Sequence, residues 1–143
     1  MKLKIILPLI IFVWSCQQKE TPRKPIAKPN VEEAFEPINA EVVSKAVLYE
    51  ANIRQYSDEG SFNAFAKDLP LLKKMGVEII WMMPINPIST TKNKGPLGSY
   101  YAVSDYTKVN PEFGTLEDFK SLVKQAHQLG MYVILDWVPG HTG

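Results

Sequence analysis

The stretch Leu135-Asp136-Trp137-Val138-Pro139-Gly140-His141 puts a carboxylate, an indole and an imidazole directly after an apolar run. An imidazole both donates to and accepts from hydroxyls, and a carboxylate makes charge-assisted hydrogen bonds. Two more apolar runs end the same way, in Arg54-Gln55-Tyr56 and in Pro84-Ile85-Asn86. Tyr100, Tyr101 and Asp105 lie in the polar stretch that follows the second of these. The chemistry on offer is hydrogen bonding, charge and aromatic faces. A thiol stands apart from all of this: Cys16 is the single cysteine, and a lone cysteine cannot close an internal disulfide.

Such groups act together only if the elements before them bring their ends together. Ala46 to Ile53 reads as a strand with mostly buried side chains. Ser61 can cap a helix that places Phe62, Phe65, Leu69 and Leu72 on one face, with Pro70 set to kink or restart it. Gly76 ends that helix, and Val77 to Met83 follows as a second strand, stopped by Pro84. A long loop rich in Pro, Ser, Thr, Lys and Gly runs from Asn86 to about Tyr100. Thr115 opens a second helix, with Asp118 placed for a capping box. Leu116, Phe119, Leu122, Val123, Ala126 and Leu129 form its apolar face; Gly130 ends it, and Met131 to Val138 is the third strand.

Both helix-to-strand junctions put a Gly at the helix exit and an apolar strand right after it. Continuous apolar strands alternating with helices imply parallel pairing, in a doubly wound sheet or in part of a (β/α)8 barrel. In either fold, functional groups collect at the C-terminal ends of the strands. A complete barrel takes about 250 residues, and the chain has 143. Three parallel strands alone would leave open edges and an uncovered face, so the expectation is a truncated domain rather than a stand-alone small α/β module.

The N-terminus is of another kind. Met1-Lys2-Leu3-Lys4 is basic, and Ile5 to Trp14 is apolar but too short for a bilayer span of about 20 residues. It fits a secretory signal. Val13-Trp14-Ser15-Cys16 resembles a bacterial lipobox, with Trp14 as a departure, so Cys16 is expected to be lipidated. Residues 1–15 would then be a lipoprotein signal peptide and 16–43 a Pro-rich solvated tether, leaving 44–143 as the folded domain. The expected location is the cell envelope, with the membrane as a partner through the lipid anchor. A formal charge of +1 and the absence of a basic block past the tether exclude nucleic acid as an expected partner.

From Val47 onward the chain resembles the N-terminal part of the catalytic domain of glycoside hydrolase family 13, the α-amylase family. The carrying segments are VLYEANIRQYS, GVEIIWMMPI, GSYYAVSDYTKVNPEFGTLEDFKSLVKQAHQLGMYVILDWV and GHTG, in family order. The resemblance extends to starch-utilisation lipoproteins. It implies an α/β fold consisting of the first three strand–helix units of a (β/α)8 TIM barrel, truncated after strand 3. It also implies retaining cleavage or transfer of α-glucosidic bonds in starch or maltodextrins. That chemistry uses two carboxylates about 5–5.5 Å apart, which the family carries on strands four and five, so no catalytic residue is assigned in this chain.

What the resemblance does carry over is substrate binding. Tyr101 matches the tyrosine that stacks on the sugar at the cleavage subsite, with Tyr100 beside it as an alternative ring. His141 matches the histidine that hydrogen-bonds the 6-hydroxyl. Asp136 and Asp105 are expected as active-site support: Asp136 matches an aspartate that holds other active-site groups, and Asp105 matches a recurrent family position, with stabilising its own turn as the main role expected of it. His127, Trp81 and Trp137 are expected to be packing residues. Gly140 stands where many amylases place an Asn calcium ligand, so a calcium site is not carried over there; a structural Ca2+ elsewhere in the full-length protein stays open, and no other cofactor is assigned. Ala102, where single-glucose-trimming members carry Asp, points to action within a chain. The rival readings are a branching or transglycosylating enzyme and a non-catalytic glycan-binding lipoprotein.

Overall fold

The computed structural model describes residues 35–140; the expected signal peptide, Cys16, most of the expected tether and His141 lie outside them. The elements in chain order are α1 (Ala40–Lys45), β1 (Val47–Ala51), α2 (Ile53–Tyr56), α3 (Phe62–Ala66), α4 (Leu69–Lys74), β2 (Val77–Met82), α5 (Leu116–Gln128) and β3 (Tyr132–Leu135). The strands form one parallel sheet in the order β1-β2-β3. Sequential order with α3 packed against α5 puts both crossovers on one face, the winding that consecutive units of a (β/α)8 barrel require.

Local chemistry explains the helices. The Ser61 hydroxyl accepts from the Ala64 amide and starts α3. Pro70 sits in the first turn of α4, where its missing N–H costs nothing. Of the two outcomes expected at Pro70, a kink or a restart, the chain takes the restart: α3 and α4 are two short helices. Thr115 and Asp118 complete a capping box at the start of α5, and Asp118 also accepts from the Asn63 side chain at 2.8 Å, tying α5 to α3. Gly76 and Gly130 end their helices with φ of 90° and 68°, where a side chain would be strained.

The core lies between the helices and one sheet face. Phe62, Phe65, Leu69, Leu122, Ile80 and Met82 are fully buried there. Phe62 meets Phe113 edge-on and tilts against Phe119. The register aligns Tyr49 with Ile80 and Val133, and Ala51 with Met82 and Leu135.

Four expectations are corrected. The first strand lacks its buried look: Val47 and Leu48 are about half exposed, because β1 is a sheet edge whose second face no helix covers among the described residues. The third strand ends at Leu135 rather than Val138. Its ladder closes with the Asp136 amide donating to the Met82 carbonyl, and β2 cannot extend because Pro84 has no N–H. Leu116 is exposed at the first turn of α5, outside the layer that buries Leu122 and Ala126. Finally, residues 35–43 are not simply tether. Phe35 stacks on His127 with ring centroids 4.2 Å apart and meets Tyr132 edge-on, and Asn39 caps α1 through the Val42 amide. His127 is thereby a packing residue, and its burial lowers its pKa.

Candidate functional site

The connection from β2 to α5 rises from the C-terminal end of the sheet and folds back over it. Its two limbs pair at an isolated bridge, Ile88 with Val103, flanked by Ser89 donating to Ala102 and Ser104 donating to Pro87. Its root is closed by the Asn110 amide on the Ile85 carbonyl and by the Asn86 side chain on the Lys108 carbonyl. Gly98 is required at the bend: its φ is 65°, and a Cβ there would stand 2.9 Å from Ile88 Cγ2.

This fold-back carries Tyr101 to the tip of β3. The Tyr101 hydroxyl donates to Asp136 Oδ2 at 2.8 Å. The bond to Asp136 raises the phenol pKa, followed by burial, with the Asp136 and Glu50 charges adding to the effect. Tyr101 as a whole stays 37% exposed. The pair therefore offers an oriented aromatic face beside a fixed carboxylate. That combination suits a ligand with an apolar C–H face and hydroxyls at its edge, since the ring takes the former and the carboxylate accepts from the latter.

Five residues further on, Tyr106 repeats the docking. Its hydroxyl donates to the Val138 carbonyl at 2.6 Å, and its ring meets Trp137 edge-on. Trp137 is 63% exposed, more open than the packing role expected of it, while Trp81 is half-buried in β2.

Asp105 is engaged by its own turn. It accepts from the Thr107 hydroxyl at 2.6 Å and the Thr107 amide at 2.8 Å, and pairs with Lys108 at 2.9 Å. The Thr107 hydroxyl first, and then Lys108, hold its carboxyl far below the usual range. Tyr56, one of the strand-end residues, turns away from the rim. Its hydroxyl donates to Asp68 and its ring meets Phe65 edge-on. Burial and the Asp68 bond push its pKa up to about 12. Among the described residues no three His, Cys, Asp or Glu side chains gather into a metal-ligating cluster, and Gly140 brings no side-chain oxygen.

Arg54 is a residue that the sequence marks only as a strand end, with no role of its own. Its guanidinium bonds Glu112 at 2.7 Å, reaches the Leu97 carbonyl at 3.5 Å and lies over the Tyr100 ring at 4.6 Å. No local pattern signals this, because all three partners lie more than forty positions along the chain.

Residues 29–143 match a family profile described as the alpha amylase catalytic domain. The chain is 31% identical to the α-amylase SusG of Bacteroides thetaiotaomicron over 94% of its own length, and 32% identical to an α-glucosidase of Apis mellifera over 78%. It covers 20% of each of those two proteins. Among solved structures, an α-amylase from Lactobacillus plantarum is 48% identical and superposes with a TM-score of 0.67, covering 68% of this chain and 23% of that one. A maltogenic α-amylase from Thermotoga neapolitana is 44% identical with a TM-score of 0.61, covering 64% and 22%.

Proposed function

Since this chain belongs to the α-amylase family, we propose that its three strand–helix units serve a retaining glycoside hydrolase acting on α-glucans such as starch and maltodextrins. The family's two catalytic carboxylates belong to strands four and five of the barrel, and the described residues contain three strands. The contribution of this chain is accordingly substrate binding. Tyr101 lays its ring against one pyranose of the glucan. Asp136 holds that ring through the phenol and adds a charged acceptor at the rim. His141, just past the described residues, supplies a second hydrogen-bonding group to the same sugar.

The observation that carries this reading is the 2.8 Å bond from Tyr101 to Asp136. Two residues singled out for the active site, Tyr101 to stack on the sugar and Asp136 to support it, lie 35 positions apart in the chain and are hydrogen-bonded past the C-terminal end of the sheet, where such barrels work.

The test is reducing-sugar release from amylose by the full-length gene product. Release that falls when Tyr101 is replaced by Ala supports hydrolysis with Tyr101 at the substrate. Iodine-stain evidence of new branches without release would replace hydrolysis by a branching reaction. Retention on starch with neither activity would make the protein a glycan binder.

The envelope location rests on the basic start, the apolar run and the lipobox-like Val13-Trp14-Ser15-Cys16. No helix among the described residues is long and apolar enough to cross a membrane; the anchor proposed is lipid on Cys16. Labelled palmitate incorporated into the wild-type protein and absent from Cys16→Ala is the expected result. Equal labelling of both would remove the anchor.

A further inference from the structure

We propose that Arg54 is a positioning residue for the substrate wall: it clamps the tip of the β2–α5 connection to the end of β1 and so holds Tyr101 against Asp136. The proposal rests on the reading of Tyr101 as a sugar-contacting ring. Its structural half is independent of that reading.

The Ile88–Val103 bridge, the Ser89–Ala102 and Ser104–Pro87 bonds and the Asn110–Ile85 closure all join the connection to itself or to its own root. They give it a shape but do not say where its tip stands over the sheet. Arg54 follows β1 at the neighbouring strand end and reaches three points of the connection at once. It bonds the Leu97 carbonyl and lies over Tyr100, four residues and one residue before Tyr101. It also pairs with Glu112, near the connection's far end, and lies 5.9 Å from the centre of the Phe113 ring.

The arginine side chain is only 14% exposed. A guanidinium removed from water in this way gains more from its partners than a surface one would, and leaving any of them unpaired costs correspondingly more. Its planar fork also suits three simultaneous partners better than an ammonium does. Phe113 extends the clamp into the core, because its carbonyl accepts from the Phe62 amide at 2.8 Å at the start of α3. The tip is thus referenced to β1 and α3, while Asp136 directly follows β3. Tyr101 is held between two elements that the sheet keeps in register.

The test reads Tyr101 directly. Tyrosine labelled with carbon-13 at Cζ is incorporated into the full chain, the Tyr101 signal is assigned with Tyr101→Phe, and its titration is followed in wild type, Arg54→Met and Arg54→Lys. Among the described residues, the charged groups acting on this phenol include Asp136 and Glu50, and neither is changed. With the clamp removed, Arg54→Met should return the Tyr101 midpoint to that of an ordinary tyrosine while circular dichroism keeps the helical signal. Arg54→Lys, which keeps the charge over Tyr100 but not the fork, should fall between.

A Tyr101 midpoint in Arg54→Met equal to that of wild type overturns the proposal. So does a shift no larger than that of a control substitution of matching stability loss in α4, Leu72→Ala. In the full-length gene product, Arg54→Met should weaken maltoheptaose binding about 5-fold. If the titration moves but neither Arg54→Met nor Tyr101→Ala changes oligosaccharide binding, the clamp stands and the sugar role of Tyr101 falls.

Discussion

The bond between Tyr101 and Asp136 has a measurable strength. Tyr101→Phe removes the hydroxyl and keeps the ring; Asp136→Ala removes the acceptor. A hydrogen bond to an ionised group contributes about 1.5–3 kcal/mol when sheltered. Tyr101 is 37% exposed, so water competes for both partners and the expected coupling drops to about 1 kcal/mol. A double-mutant cycle on the full chain, read by urea denaturation, isolates that quantity.

Its pH dependence follows from the phenol. The pKa of Tyr101 is raised above the ordinary 10.0, chiefly by the bond to Asp136. The proton is bound more tightly in the folded state, so the stabilisation is fully present below pH 10 and is lost as pH rises through the folded value. The coupling should therefore be equal at pH 7 and pH 9 and vanish at strongly alkaline pH. A coupling below about 0.3 kcal/mol at neutral pH, within the additivity of independent sites, would refute the argument. One that persisted after the phenol had ionised would do the same.

Other expectations concern the scaffold. Thr115→Ala removes the cap of α5 and should cost about 1 kcal/mol, with faster amide exchange confined to the first turn of that helix. Phe65→Ala empties a fully buried site and should cost about 3–5 kcal/mol by denaturant titration, with retention of wild-type stability counting against the described core. Tyr56, with its pKa pushed up to about 12, contributes stability that is complete below pH 10 and fades between there and about pH 12, so Tyr56→Phe should flatten the decline over that window. Gly98→Ala forces a side chain into a left-handed bend and against Ile88, and should cost about 1 kcal/mol while raising proteolytic nicking near residue 98.

Several elements were legible because their causes are local. The Thr115–Asp118 box needs only two residues three apart, and both of its hydrogen bonds form. Gly76 and Gly130 end helices because they take a backbone conformation that other residues avoid. Pro70 restarts a helix because its ring forbids an interior hydrogen bond. Parallel pairing was readable from unbroken apolar strands, and the sheet has it. The misplaced end of the third strand had a non-local cause: how far β3 runs depends on where β2 stops offering partners, and that is set at Pro84, just past the end of β2.

The candidate site divides along the same line. The residue types at the strand ends, the aromatic pair Tyr100-Tyr101 and the carboxylate Asp136 can be picked from the sequence, because binding chemistry depends on which groups are available. That Tyr101 reaches Asp136, that Arg54 spans from Leu97 to Glu112, and that Phe35 closes over His127 are facts of the tertiary structure. Each joins residues whose separation along the chain exceeds any helical or strand period, so no pattern in the sequence encodes the meeting. It is decided when the sheet and the core bring the strand ends onto one rim. The sequence by itself determined the elements and the inventory of chemical groups, through short-range sterics and capping; packing alone decided which of those groups face each other.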